Sequence, residues 1–396
     1  MHKCLPVLLA LSSAALAQEP AGASSNQIAV GMSGALTGPA RALGLGMRAG
    51  IDAYFARTNG SGGVFGKQLR LIALDDGYEP LLAAGNLHRL IDQEKVFAVL
   101  RDPGTPTAAI GVPIANQQHV PFFGAYTGAS LLHKTPPDRY VINYRASYAE
   151  ETAEIVRGLL REARLKPQDL AFFTQNDSYG DAGYAGAKAA LKAMGFAGAE
   201  RLVHARYPRN TEDVERALAD VLDPTVHPRA VIMIGATAPC AKFIRLAREY
   251  GLNAIFVNVS FVNGDALLEA LGPAAEVVVV TQVIPPLDAD LPAVREFRSE
   301  VRKENRGFVS LEGYLAAAAF VEGMRRAGPG ASAEAFIDAL ESSGPMDLGT
   351  GAPLLLTKAR HQLSDRVYPT IIRGGKFRAL HHWREALPRP LPGARS

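Results

Sequence analysis

The residues able to do covalent or metal chemistry are few, and their spacing disfavours it. Ser33 in GMSGA has Gly31 before it but Ala35 where the strained serine turn of a hydrolase needs a second glycine. Asp75 and Asp76 are adjacent carboxylates. In a strand they point to opposite faces, which suits a structural role better than a shared proton or ion. The nine histidines form no HExxH pair, and His381-His382 has no carboxylate or cysteine at ligand spacing. Cys240, in APCAKFIRLA, reads as a packed small residue. In NGSGGVFGKQLRL, Gly66-Lys67 is followed by Gln68, and Ser61 stands where a phosphate loop has its first glycine. That stretch is instead expected to turn a helix into a strand, with Gly60, Gly62, Gly63 and Gly66 taking positive φ. Neither a cofactor nor a metal is expected, and catalysis is not.

Binding chemistry has better candidates. RDPGTPTAA follows the apolar run VFAVL and opens a helical pattern, so Gly104, Thr105 and Thr107 lie at a strand end and a helix start. A threonine there either caps the helix or, with free amides and the positive end of the dipole, receives an anion. GAYTGAS puts Tyr126 and Thr127 on a second such loop, offering an apolar wall and a hydroxyl. NDSYGDAG repeats the arrangement with Asp177, Ser178, Tyr179 and Asp181.

The elements that must hold these loops alternate. Apolar runs (IAVGMSG, QLRLIALDD, VFAVL, VPFFGAY, LAFFTQND, ERLVHARY, AVIMIGA, AIFVNVS, EVVVVTQVI) are separated by segments such as ETAEIVRGLLREARL with apolar residues three and four apart. Strand and helix in alternation give parallel sheets built from right-handed crossovers. About 380 residues beyond the leader exceed one core, so two α/β lobes are expected. In such sheets ligands sit beyond the carboxyl ends of the strands, where all these loops lie.

MHKCLPVLLALSSAALAQ has a charged start, an apolar centre and Ala15-Leu16-Ala17 before Gln18. It reads as a secretory signal over residues 1–17, cut after Ala17, so the protein is expected in the periplasm. The cut removes Cys4 and leaves Cys240 alone, without an internal disulfide. A formal charge of +3, from 42 basic and 39 acidic residues, gives no reason to expect nucleic acid as partner.

Taken in order, IAVGMSGALTGPARALG, NGSGGVFGKQLRLIALDDGYEP, the GTPTAA loop, YVINYRASYAEE and NDSYGDAG resemble the branched-chain amino-acid-binding family of type I periplasmic solute-binding proteins of ABC importers. The resemblance spans nearly the whole chain after the signal. It implies two Rossmann-like lobes joined by three crossovers: lobe I over 26–147 and 284–365, lobe II over 148–283 and 366–386, and a flexible tail at 387–396. The chain would cross near Arg145 to Glu150, near Thr281 to Pro286 and near Arg366. The implied ligand contacts are Gly104 and Thr105, with Pro103 in the same loop, and Tyr126 and Thr127 in lobe I, and Tyr179, Ser260 and either Ala236 or, with a one-residue shift, Thr237 in lobe II. The implied partners are a small-molecule ligand and a membrane permease, with the receptor a monomer. Alternatives are a ligand-sensing regulatory module of the same fold and a secreted hydrolase using Ser33. Ser260 stands where the family's acid meets a ligand ammonium, and Leu43 replaces a pocket tryptophan. The family's disulfide positions read Tyr78 and Gly104. An acid without an ammonium group is therefore expected to bind better than an amino acid, unless Asp181 or Glu150 replaces the missing partner.

Overall fold

The computed structural model describes Ala23, Ser24 and residues 26–388. The signal expected at 1–17 and residues 389–396 of the tail expected at 387–396 lie outside the described residues, while Leu387 packs against the core. In chain order the first half runs β1 (Ala23–Ser24), β2 (Gln27–Gly34), α1 (Arg41–Gly60), β3 (Gln68–Asp75), α2 (Pro80–His88), β4 (Ala98–Leu100), α3 (Thr105–Gln117), β5 (Phe122–Phe123), β6 (Val141–Ile142) and α4 (Tyr148–Arg157). The second half continues with β7 (Leu170–Gln175), α5 (Ser178–Ala193), β8 (His204–Tyr207), α6 (Glu215–Val221), β9 (Ala230–Ile234), α7 (Thr237–Glu249), β10 (Ile255–Asn258), α8 (Gly264–Leu271) and β11 (Val279–Gln282). It ends with α9 (Pro292–Glu300), α10 (Phe308–Ala327), α11 (Ala333–Ser342), β12 (Tyr368–Arg373) and β13 (Lys376–Ala379).

These strands make two sheets. In the first, β3 and β4 flank β2, followed by β5 and β6, all in parallel, and β1 adds an antiparallel pairing to β2. In the second the order is β13-β12-β11-β10-β9-β7-β8. The central strands LAFFTQ, AVIMI and IFVN are buried throughout, as parallel strands covered by helices on both faces must be.

One edge departs from the all-parallel expectation. β12 pairs antiparallel with β11, and β13 antiparallel with β12. Gly374 and Gly375, at φ +55° and +69°, form the two-residue turn that makes this hairpin. Position 200 onward also differs: of ERLVHARY only His204–Tyr207 is strand.

The Gly-rich stretch after α1 turns helix into strand as expected, except that Gly60 is the last residue of α1 and does not take a positive φ. Gly62, Gly63 and Gly66 have φ of +95°, +78° and +79°, and a short Val64–Lys67 bridge leads into β3.

The chain passes between the sheets three times: after β6, after β11 and before β12. The first and third passages run side by side, tied by a parallel bridge between Asn143 and Gln362 and by Ser364 N donating to Tyr144 O at 3.0 Å. Parallel right-handed units place the carboxyl ends of both sheets' strands toward one another, so the candidate loops meet across a cleft.

Candidate functional site

On the first sheet's side, β4 leads through Arg101, Asp102 and Pro103 into α3. Gly104 turns the chain at φ +106°, and a Cβ there would stand 2.2 Å from the ring of Tyr78. Only glycine allows the loop to pass this closely beneath that ring. Gly104 N donates to Tyr126 O at 3.3 Å, and Tyr126 N to Asp102 O at 2.9 Å, which locks the two predicted loops together. Their hydroxyls converge: Thr105 Oγ1 lies 2.7 Å from Thr127 Oγ1, both buried. Capping, the alternative role for these threonines, is absent. Gly104 is the cap of α3 and no side chain caps it, while Thr107 donates back to Pro103 O at 2.6 Å.

On the second sheet's side, Asp177 caps α5 by accepting from Tyr179 N at 2.9 Å and Gly180 N at 3.3 Å. That fixes Tyr179, whose hydroxyl donates to Gly235 O at 3.4 Å. Its ring packs 4.4 Å from Phe261 and 5.3 Å from Tyr148. Phe261 also meets Tyr126 at 5.6 Å and Tyr78 at 6.1 Å, both from the other sheet. The facing loops thus share a packed aromatic cluster centred on Phe261, a residue the sequence reading passed over. Its position straight after β10, beside Ser260, was the available signal. Thr237, the first residue of α7, donates to Val262 O and so braces the segment carrying Phe261.

Ser260 belongs to a buried charged network. Glu151 accepts from Ser260 Oγ at 2.9 Å, Ser260 N at 2.8 Å and Thr281 Oγ1 at 2.6 Å. The Arg145 guanidinium donates to Ser260 Oγ and lies 3.6 Å from Glu312. Arg101 joins Glu312 at 2.9 Å. The Tyr126 ring lies 5.0 Å from the Arg101 guanidinium and 4.4 Å from that of Arg145, and its hydroxyl donates to Ser260 O at 3.1 Å. Burial raises the Glu151 carboxyl while Arg145 and its hydrogen bonds pull it back. Burial opposes the Arg145 charge, but Glu312, Tyr126 and Glu151 hold it above its ordinary value.

The acids considered as substitutes at position 260 are engaged elsewhere. Asp181 pairs with Arg206 at 2.6 Å near the surface, and Glu150 forms the capping box of α4 with Ser147. Glu151 instead occupies the space behind Ser260, its oxygens taken by donors.

The covalent candidates resolve as structural groups. Ser33 is fully buried and donates to Asp76 at 2.7 Å. Asp76 also accepts from Tyr78 N at 2.8 Å, and burial pushes its carboxyl up to about 6. Asp75 points the other way, accepting from Leu36 N at 2.8 Å and Thr37 Oγ1 at 2.6 Å. Cys240 is buried and its thiol pushed far up by desolvation. Among the described residues no group of histidines, cysteines and carboxylates is placed to hold a metal, and no helix is long and apolar enough to cross a membrane.

Residues 27–376 match the periplasmic binding protein family. The chain belongs to that family. A possible leucine/isoleucine/valine-binding protein from Rhodopirellula baltica is 45% identical in sequence, with a TM-score of 0.86 over 94% of this chain and 100% of that one. The branched-chain amino acid ABC transporter protein of Thermus thermophilus, solved with bound valine, shares the fold at a TM-score of 0.78 and 20% identity, over 90% of this chain and 96% of that one. An amino acid binding protein of Pseudomonas aeruginosa is 24% identical over 72% of this chain and 74% of its own length. The family is one of extracytoplasmic solute-binding receptors.

Proposed function

We propose that this family member captures a small carboxylate between two lobes, 26–147 with 284–365 and 148–283 with 366–386, and delivers it to an ABC permease. It does so by binding alone, as a monomer in the periplasm after loss of residues 1–17. The observation that carries this reading is the convergence on Phe261 of rings from both sheets, beside the facing hydroxyls of Thr105 and Thr127. A ligand there touches both lobes only when they are closed, so it shifts the hinge equilibrium toward closure. Thr105 and Thr127 donate to the carboxylate at the uncapped start of α3, and Tyr126, Tyr179 and Phe261 enclose the apolar body. Gly104 lets the loop approach, while Ser260 and Thr237 hold the wall.

The test is calorimetric titration of the protein, freed of co-purified solute by mild unfolding and refolding, with branched-chain amino acids and with aliphatic and aromatic acids. Saturable binding at a single site supports the reading. Hydrolysis of an ester substrate lost in Ser33→Ala would replace it with the hydrolase alternative, and capture by a membrane sensor instead of a permease would favour the regulatory one.

A further inference from the structure

Two buried donors in the cleft make no hydrogen bond of good geometry within the protein, although the Thr127 hydroxyl and the Gly128 backbone stand near the Tyr148 oxygen. Arg145 Nη1 and the Tyr148 hydroxyl are both enclosed and unpaired, on side chains fully or almost fully buried. They stand on the first passage between the sheets and at the start of α4, so neither belongs to the predicted loops.

Their surroundings define what they face. The Tyr148 ring packs 5.3 Å from Tyr179, and its main-chain amide donates to Gly128 O at 2.7 Å, next to Thr127. Arg145 stacks 4.4 Å from the Tyr126 ring centre and already donates to Ser260 Oγ through its other terminal nitrogen. Burial holds the Tyr148 phenol well above its ordinary value, and the Arg145 guanidinium, the Thr127 hydroxyl and the Gly128 backbone pull it part of the way back. A buried hydroxyl with no acceptor is costly, and a site built from such groups complements a ligand that supplies one.

Resting on the proposed capture of a carboxylate, we infer that Tyr148 and Arg145 complete its anion site from the hinge, Tyr148 donating directly to a ligand oxygen and Arg145 supplying positive charge beside it. The consequence is a ligand class. An ammonium is disfavoured here, because the Glu151 oxygens already accept three hydrogen bonds from Ser260 and Thr281 and the Arg145 guanidinium places a like charge beside the site. The ligand is an organic acid without an amino group, with an aromatic or other flat apolar body for the rings around Phe261. Because both donors sit on the crossing segment, the ligand's charge also reaches the hinge.

Tyr148→Phe tests this without disturbing the ring packing. Wild type and variant are titrated with benzoate, 4-hydroxybenzoate, hexanoate and L-leucine, and their ligand-free melting temperatures compared. The expected result is binding of one or more of the acids by wild type, a loss of about tenfold or more in the variant, and a ligand-free melting temperature that is unchanged or higher. A purely structural tyrosine would instead lower the melting temperature and spare affinity. Equal affinity for an acid in both proteins overturns the inference and leaves the receptor reading intact. Binding of leucine alone overturns the ligand class, again leaving the receptor. No binding to any of the four overturns the carboxylate reading together with the inference.

Discussion

Arg209 reaches across the mouth of the cleft to Glu79, Nη2 to Oε2 at 2.8 Å, while its Nη1 donates to the carbonyl of Tyr78 at 2.7 Å. Asn210 follows it, donating to Glu79 Oε1 at 2.6 Å and Gly77 O at 3.1 Å. Arg209 and Asn210 follow β8 of the second sheet, Gly77 to Glu79 follow β3 of the first, and the hinge lies at the opposite end. These bonds join the loops of the two sheets and are expected to act as a clasp that separation of the lobes would break. Arg209→Ala is therefore expected to weaken ligand binding about three- to tenfold through faster dissociation, since a half-exposed ion pair plus one backbone bond contributes about 1 kcal/mol or slightly more. Stopped-flow dissociation checks this, and an unchanged off-rate would remove the clasp from the account.

Thr105→Ala and Thr127→Ala are each expected to lower affinity for the bound acid about tenfold or more, the cost of one hydrogen bond to a charged group. The two hydroxyls lie 2.7 Å apart, so the double variant should show non-additive loss. Titration calorimetry measures it. Melting temperatures close to wild type are expected.

Gly104→Ala is expected to destabilise the fold by roughly 2–4 kcal/mol, because it combines a positive φ with a Cβ in the Tyr78 ring. Denaturant unfolding gives the value. Tyr78→Ala in the same chain should recover part of the loss, which separates the ring clash from the backbone strain.

Asp76 gives stability a pH dependence of definite sign. Its carboxyl is pushed from 3.8 up to about 6 by burial, despite the hydrogen bonds from Ser33 and Tyr78 N. The folded state therefore holds the proton more tightly than the unfolded chain. This contribution is fully present below pH 4 and is lost as pH rises through 6, by roughly 3 kcal/mol in all. Relative to Asp76→Asn, wild type should lose stability between pH 4 and 7, measured by urea unfolding across that range. A relative gain with rising pH would contradict the assignment.

The fold was legible because parallel α/β units write themselves as buried apolar runs between amphipathic helices, and LAFFTQ, AVIMI and IFVN are such runs. The hairpin of β12 and β13 was missed although Gly374-Gly375 marks it, because its strands are short and half exposed and their alternation is weak. At the candidate site, strand-end position brought forward the loops of Thr105, Thr127, Tyr126 and Tyr179, and the family resemblance proposed these residues as ligand contacts. Arg145, Tyr148 and Glu151 could not be read in this way. Their roles arise from contacts between segments over a hundred residues apart, such as Glu151 with Ser260, and no local spacing encodes those. Tyr78 was hidden in a different way: its positive φ of +66° is unusual for an aromatic, and it occurs in a turn held by Asp76 that sets the ring against Gly104.

The central claim is that a small acid closes two lobes on itself. Labels at Leu82 and Asp213, exposed on the two sides of the cleft mouth, report this directly, and buried Cys240 does not compete for them. Pulsed electron–electron distance measurements with and without saturating benzoate, 4-hydroxybenzoate or hexanoate should show one narrow, short distance only with an acid that binds. The Thr105→Ala/Thr127→Ala protein at the same concentration should keep the broader ligand-free distribution. An identical distribution with and without an acid that calorimetry shows to be bound would contradict the account.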